Sequence, residues 1–322
     1  MGFSRSVFSR QMLQVTSKRA ICFSQSTTQI VGRKAGNSHI IMGKQTFHST
    51  TPLGIDDHFV VSQNPSIAIG TLEDCISSEV ERLQQQLKIP VVTTEELRSD
   101  QYDFSLQFNL EGALGIQCHT SNFSPLHVDF VHGKLGYRGC RPEHEAILKA
   151  VQLKETRTPS VWDMTAGLGR DAFILACGGC RVHMWERSPI IGALLADGIR
   201  RLGQEQTPRS QEIFDRMTLS IGDSACIQLS NEQPPSIFRP QVTYIDPMFP
   251  KKGKTALAKK DMQILQGLIG PGGTEEELLA NALQISQRKT VVKRPIKGEY
   301  LAGKVPSHCI KGKNNRFDIY VK

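Results

Sequence analysis

The chain has 322 residues, 39 Lys and Arg against 31 Asp and Glu, a formal net charge of +8, and 39 % hydrophobic residues. That length and apolar content exclude a disordered or low-complexity chain and suit about two domains, and no apolar run approaches the roughly 18 residues of a membrane helix. The charge alone suggests a nucleic-acid partner until its position along the chain is read.

Residues 1–55 hold seven basic side chains (Arg5, Arg10, Lys18, Arg19, Arg33, Lys34 and Lys44) and no acid, the first acidic residue being Asp56. Taking those seven from the 39 leaves 32 basic against 31 acidic side chains, so the remainder carries a net charge of only +1. A basic, hydroxyl-rich, acid-free segment without an apolar core has the composition of an organellar transit peptide. Phe8, Met12 and Val15 share a helical face in it. The expectation is a mitochondrial address, with a plastid one as the alternative, removed by cleavage between about residues 20 and 55.

Residues 56–140 read as a small α+β unit. Short strands are expected at 59–61 and 67–69, then a helix carrying Ile76, Val80, Leu83 and Leu87 at helical spacing. Tyr102, Phe104, Leu106, Phe108 and Leu110 alternate along one strand, Glu111-Gly112 turns into a run through Ile116, and Leu126, Val128 and Phe130 alternate again. A helix with Pro142 near its start buries Ile147, Ala150 and Val151.

Residues 141–322 form the second unit, in which strands and helices alternate from about Thr158, the signature of a parallel sheet with crossovers. Strands are expected at 160–164, 181–186, 217–221, 241–246, 289–293 and 316–321. The first helix spans 171–177, the next starts at Ser188-Pro189, and a third follows the capping box of Thr274 and Glu277. Residues 203–211 and 232–240 read as polar or proline-containing connections. Cys177-Gly-Gly-Cys180 is a lone pair at a helix-to-strand turn, so it reads as small buried residues; no metal site and no disulfide framework are expected.

After the first strand of this unit, Gly167-x-Gly169-x-x-Ala172 fits a dinucleotide-type glycine loop, and Glu186 ends the second strand where an acid meets ribose hydroxyls. The loop alone indicates a nucleoside cofactor, either a nicotinamide dinucleotide or S-adenosylmethionine. Arg170-Asp171 tilts the choice: a carboxylate beside the loop repels a pyrophosphate and welcomes an amino-acid ammonium, which favours S-adenosylmethionine.

The fourth strand ends in Asp246-Pro247-Met248-Phe249-Pro250. This is similar to the (Asp/Asn)-Pro-Pro-(aromatic) motif of methyltransferases acting on planar exocyclic amines. Such an amine is a poor nucleophile because its lone pair is delocalised. The carboxylate of Asp246 and the carbonyl of Pro247, both accepting N–H bonds, draw its nitrogen toward sp³, and Phe249 stacks on an extruded base. Lys251, Lys252, Lys254, Lys259 and Lys260 follow as one basic cluster, placed for phosphate contacts, and Lys293-Arg294 could share the same rim.

Taken together, the stretches 163–173, 185–189, 246–250, 256–260, 291–295 and 316–320, with 128–133 upstream, resemble the RsmJ family of small-subunit ribosomal RNA guanine-N2 methyltransferases. The resemblance covers residue 65 or so to the C-terminus. It implies a class I S-adenosylmethionine-dependent methyltransferase fold, Rossmann-like with a mostly parallel sheet, behind a small N-terminal α+β domain. It implies cofactor contacts at Arg170, Asp171, Glu186, Arg187, Asp223, Ser224 and Asp246, and small-subunit rRNA or the assembled small subunit as partner, with no membrane and no metal. At Asp223 the chain departs from the bacterial pattern of a small hydroxyl residue; an acid there suits the adenine amine instead. Methylation of a protein amide or adenine, an NAD-dependent dehydrogenase, and a non-catalytic RNA-binding assembly factor are the alternatives.

Overall fold

The computed structural model describes residues 65–71, 77–99, 101–228, 239–247, 260–268 and 273–322. The expected transit segment, the strand at 59–61 and Ile76 lie outside them.

The first sheet contains β1 (Ile67–Thr71), β2 (Val91–Thr93), β3 (Phe104–Phe108), β4 (Leu114–Cys118) and β5 (Leu126–His127) in the order β2-β1-β3-β4-β5. β1 is parallel to both its neighbours, and the other pairs are antiparallel. Between β1 and β2 runs α1 (Ser78–Leu87), started by the Ser77 hydroxyl, which accepts the Val80 N–H, and buried through Val80 and Leu83.

Three expectations change in this region. Leu110 does not continue the inward row of β3: it is 97 % exposed, because the Asn109 side chain accepts the Glu111 and Ala113 N–H groups and turns the chain there. The strand expected through Phe130 stops at His127, since the Asp129 carboxylate accepts the Val131 and His132 N–H groups. Pro142 opens a 3-10 turn at Pro142–His144 rather than the helix itself; ahead of it lies α2 (Gly133–Gly139) and after it α3 (Ala146–Val151).

The second sheet begins with β6 (Ser160–Asp163), α4 (Arg170–Cys177) and β7 (Arg181–Glu186). It continues through α5 (Pro189–Gln204), α6 (Pro208–Asp215), β8 (Met217–Ile221) and β9 (Val242–Ile245). It ends with α7 (Lys260–Leu268), α8 (Glu275–Ile285), β10 (Lys289–Pro295), β11 (His308–Lys311) and β12 (Asn315–Val321). Strand order is β11-β12-β10-β9-β6-β7-β8, with β12 antiparallel to both its neighbours and the remaining pairs parallel. The chain winds outward from β6 to β8 and returns to β9 on the other side of β6. That reversal opens a crevice at the carboxyl ends of β6 and β9, where doubly wound sheets bind ligands.

All four residues of β9 are buried, as a central parallel strand covered on both faces requires. In α5, Ile191, Leu194 and Leu195 have no exposed surface, each contributing about 1.5–3 kcal/mol of hydrophobic burial. The segment 203–211 is not a plain connection: α5 runs through Gln204 and α6 starts at Pro208, with the Thr207 hydroxyl capping Ser210 and Ile213 buried. The reciprocal capping box of Thr274 and Glu277 forms as their spacing predicts.

One hydrophobic core spans both sheets, with the Phe130 and Phe173 rings stacked 5.0 Å apart. Polar groups reinforce the junction. Buried Asp197 of α5 accepts the Leu114 N–H of β4 at 3.0 Å and pairs with Arg200 and Arg201 on its own helix. No described helix is long and apolar enough to cross a membrane.

Candidate active site

The loop from β6 to α4 needs its glycines. Gly167 and Gly169 have φ of 54° and 70°, left-handed values that strain any residue with a Cβ. A Cβ on Gly169 would also stand 2.6 Å from Leu195 Cδ1. The loop is fastened from β7: Glu186 accepts the Gly167 N–H and the Ser188 N–H, each at 2.8 Å, one on each carboxylate oxygen. Burial raises the Glu186 pKa, and these two N–H donors oppose the rise.

Beyond β8, Asp223 and Ser224 form a second wall. Asp223 accepts the Ala225 and Gly273 N–H groups, and the Ser224 hydroxyl donates to the Met164 carbonyl. The Asn281 amide of α8 donates to the Ser224 carbonyl, tying this wall to the helix behind it.

Opposite the glycine loop, Asp246 and Pro247 leave β9. The Asp246 N–H donates to the Thr165 hydroxyl at 2.7 Å, so the turn after β9 is stitched to the loop after β6. The Asp246 side chain is 38 % exposed, with Oδ2 held from within by Lys293 Nζ of β10 at 2.8 Å. The same ammonium donates to Asp171 Oδ2 at 2.6 Å, and Tyr244 Oη donates to that oxygen at 2.6 Å. Fully buried Asp163 completes the group, with Oδ1 accepting the Thr165 N–H.

The electrostatics of this cluster divide its acids. Burial, with the Asp171 and Asp246 charges behind it, pushes Asp163 up to about 8. Burial also raises Asp246, Lys293 opposing and Asp171 adding to the rise. Asp171 ends below its ordinary value: burial raises it, but the Lys293 ammonium and the Tyr244 hydroxyl outweigh that. Lys293 is held well above its usual range, since the two carboxylates overcome its own desolvation.

A family model described as "Putative SAM-dependent methyltransferase" matches residues 88–322. The ribosomal RNA small subunit methyltransferase J of Thioalkalivibrio sulfidiphilus is 38 % identical over 262 residues, 79 % of this chain and 97 % of that protein. Its namesake from Shewanella amazonensis is 44 % identical over 230 residues, 70 % of this chain and 89 % of that protein. The chain belongs to the RsmJ family of SAM-dependent methyltransferases. Among solved structures, a SAM-dependent methyltransferase from Neisseria gonorrhoeae is 32 % identical with a TM-score of 0.59, over 79 % of this chain and 95 % of that one.

The cofactor of this RsmJ-family chain is S-adenosylmethionine, and the donor set suits it. Four acids gather at this end of the sheet: Glu186, Asp171, Asp223 and Asp246. A cationic, hydroxyl-bearing ligand is attracted by such a set, whereas a pyrophosphate is repelled. The expected contacts nonetheless carry partners of their own. Asp171 faces the Lys293 ammonium, the kind of group it was expected to receive from the cofactor. The Asp223 oxygens are engaged by the backbone, and Arg170 pairs with Asp261 of α7. Arg187 is exposed.

Asp246, Pro247, Gly167, Gly169, Glu186 and Ser224 are brought to one end of the sheet. Phe249 with its neighbours Met248 and Pro250, and Lys251, Lys252, Lys254 and Lys259, lie outside the described residues; Lys260 opens α7. Lys293, expected on the basic rim, turns its side chain onto Asp171 and Asp246 and is 21 % exposed. Thr165, Tyr244 and Lys293 are the participants that sequence reading missed. The signal for Lys293 was the parallel register, since Val292 pairs with Ile245 and the next residues along are Lys293 and Asp246. Among the described residues no group of His, Cys, Asp and Glu could hold a metal, and burial pushes the Cys177 and Cys180 thiols up to about 12.

Proposed function

We propose that this enzyme transfers the S-adenosylmethionine methyl group to the exocyclic N2 amine of a guanine in small-subunit ribosomal RNA, on an organellar ribosome. The observation that carries this reading is the position of Asp246-Pro247: at the carboxyl end of β9, joined to the glycine loop through Thr165. The kinship to ribosomal RNA small subunit methyltransferase J of several bacteria supports the RNA substrate.

S-adenosylmethionine supplies an electrophilic methyl group when bound. Asp246 and the Pro247 carbonyl accept the amine's N–H bonds and aim its lone pair, and Phe249 stacks on the base. The methylated nitrogen passes through an ammonium acidic enough to lose its proton to water, so no strong base is needed. Lys251, Lys252, Lys254, Lys259 and Lys260 contact phosphates. The acid-free first 55 residues support a mitochondrial address, a plastid one being the other organellar possibility.

Asp246→Ala tests the reading: it abolishes methyl transfer to organellar small-subunit RNA while the protein stays folded, and retained activity removes Asp246 from the mechanism. Mapping N2-methylguanine in organellar rRNA with and without the protein identifies the nucleotide. An intact N-terminus on protein purified from mitochondria overturns the transit peptide.

A further inference from the structure

Lys293 joins three elements at the mouth of the crevice. It leaves β10 beside Asp246, reaches Asp246 Oδ2 at 2.8 Å and reaches Asp171 Oδ2, on the first turn of α4, at 2.6 Å. Asp171 is held from its other side by Tyr244 Oη of β9. We propose that Lys293 is a positioning residue for methyl transfer, clamping the substrate-side carboxylate Asp246 to the loop-side carboxylate Asp171. This rests on the proposed role of Asp246 in orienting the amine.

The argument is one of charge and geometry. Asp246 is faced by Lys293 and Arg294 of β10, Asp171 of α4, Asp163 of β6 and the Tyr244 hydroxyl of β9, with Arg138 of α2 acting on Asp171 from further out. Three carboxyl groups thus meet in a mostly buried space, Asp163 held toward its neutral form, and the ammonium that bonds the other two is Lys293. With it, Asp246 Oδ2 is held and the carboxylate form is favoured, so the other oxygen is the one proposed to accept the amine's N–H. Without it, like-charge repulsion and burial both favour protonating Asp246, and its carboxyl group is free to rotate.

The experiment uses the full-length enzyme, S-adenosylmethionine, and small ribosomal subunits from organelles lacking this protein. It compares wild type, Lys293→Met, Lys293→Gln and Lys293→Arg. For Lys293→Met the expected kcat at pH 7 falls about 30-fold or more, KM for S-adenosylmethionine moves less than about 3-fold, and the acid limb of kcat shifts up by about one pH unit, so the deficit narrows toward pH 9. Lys293→Arg restores the wild-type limb. Lys293→Gln keeps a donor without the charge and carries the same comparison where the Met variant does not fold. In parallel, carbon-13 NMR of labelled aspartates follows the Asp246 carboxyl, identified by its loss in Asp246→Asn. An unshifted Asp246 titration in the neutral variants, or a kcat loss equal at every pH, overturns the proposal. Wild-type enzyme that methylates no subunit overturns the proposed substrate instead, and the NMR comparison still decides the role of Lys293.

Discussion

Glu186 accepts the N–H of Gly167 at 2.8 Å across 19 residues of chain, so the acid at the end of β7 is also the fastening of the glycine loop. Glu186→Ala leaves the Gly167 and Ser188 N–H groups buried without that acceptor, at about 1–3 kcal/mol each. A lower urea midpoint is expected, with affinity for S-adenosylhomocysteine down by about tenfold or more in calorimetric titration. Unchanged affinity would separate the loop from Glu186.

Gly169 is the N-cap of α4 at φ 70°, packed against Leu195 and Phe130. Gly169→Ala combines left-handed strain of roughly 1–3 kcal/mol with a clash against Leu195 Cδ1. Denaturant unfolding should show a loss in that range, with cofactor affinity falling alongside. An alanine variant as stable as wild type would mean that the loop has another accessible conformation.

Asp197 is a link between the sheets, binding the Leu114 N–H, Arg200 and Arg201; Arg201 also donates to the Val128 carbonyl. Asp197→Ala strands the Leu114 N–H and frees two arginines that are partly exposed, at a cost of roughly 2–3 kcal/mol, below that of a fully buried pair. The measurement is urea unfolding together with protease sensitivity of the 104–118 hairpin. Stability within 0.5 kcal/mol or so of wild type would assign the junction to apolar packing alone.

Asp163 titrates at about 8 in the folded protein against an ordinary value near 3.8, so between those values the folded state holds a proton that the unfolded chain has released. Stability from this group therefore falls as pH rises from about 4 to 8, by at most about 1.4 kcal/mol per pH unit. Asp163→Asn retains the oxygen that accepts the Thr165 N–H and removes the titration. Unfolding free energies between pH 5 and 8 should decline less steeply in the variant; parallel curves would show that Asp163 ionises normally.

Local signals carried much of this architecture. The Thr274–Glu277 capping box, the Ser188-Pro189 helix start and the positions of six of the seven strands from residue 160 onward were legible because each depends on neighbours in sequence. So were Gly167, Gly169 and Asp246, whose residue types state a backbone or chemical requirement. Leu110 misled because alternation cannot register that an asparagine side chain will turn the strand one residue earlier. β2 was missed because three residues carry no measurable period, and β11 because it is almost wholly exposed and so lacks an apolar signal. α6 was hidden inside a polar stretch whose Thr207-Pro208 start signal was the better guide.

The +8 charge, the seven-residue basic excess before Asp56 and the glycine loop with its following acid are properties of the linear chain, and they hold whatever the chain packs against. Lys293 is different. Its distance from Asp171 is 122 residues and from Asp246 is 47, and nothing in its neighbouring residues tells which acids it will meet. Parallel pairing of β10 with β9, and the start of α4 just beyond the carboxyl end of neighbouring β6, bring one ammonium between two carboxylates. Its charge was written in the chain, but its partners came from strand order, because ion pairs form between whatever groups the sheet sets side by side.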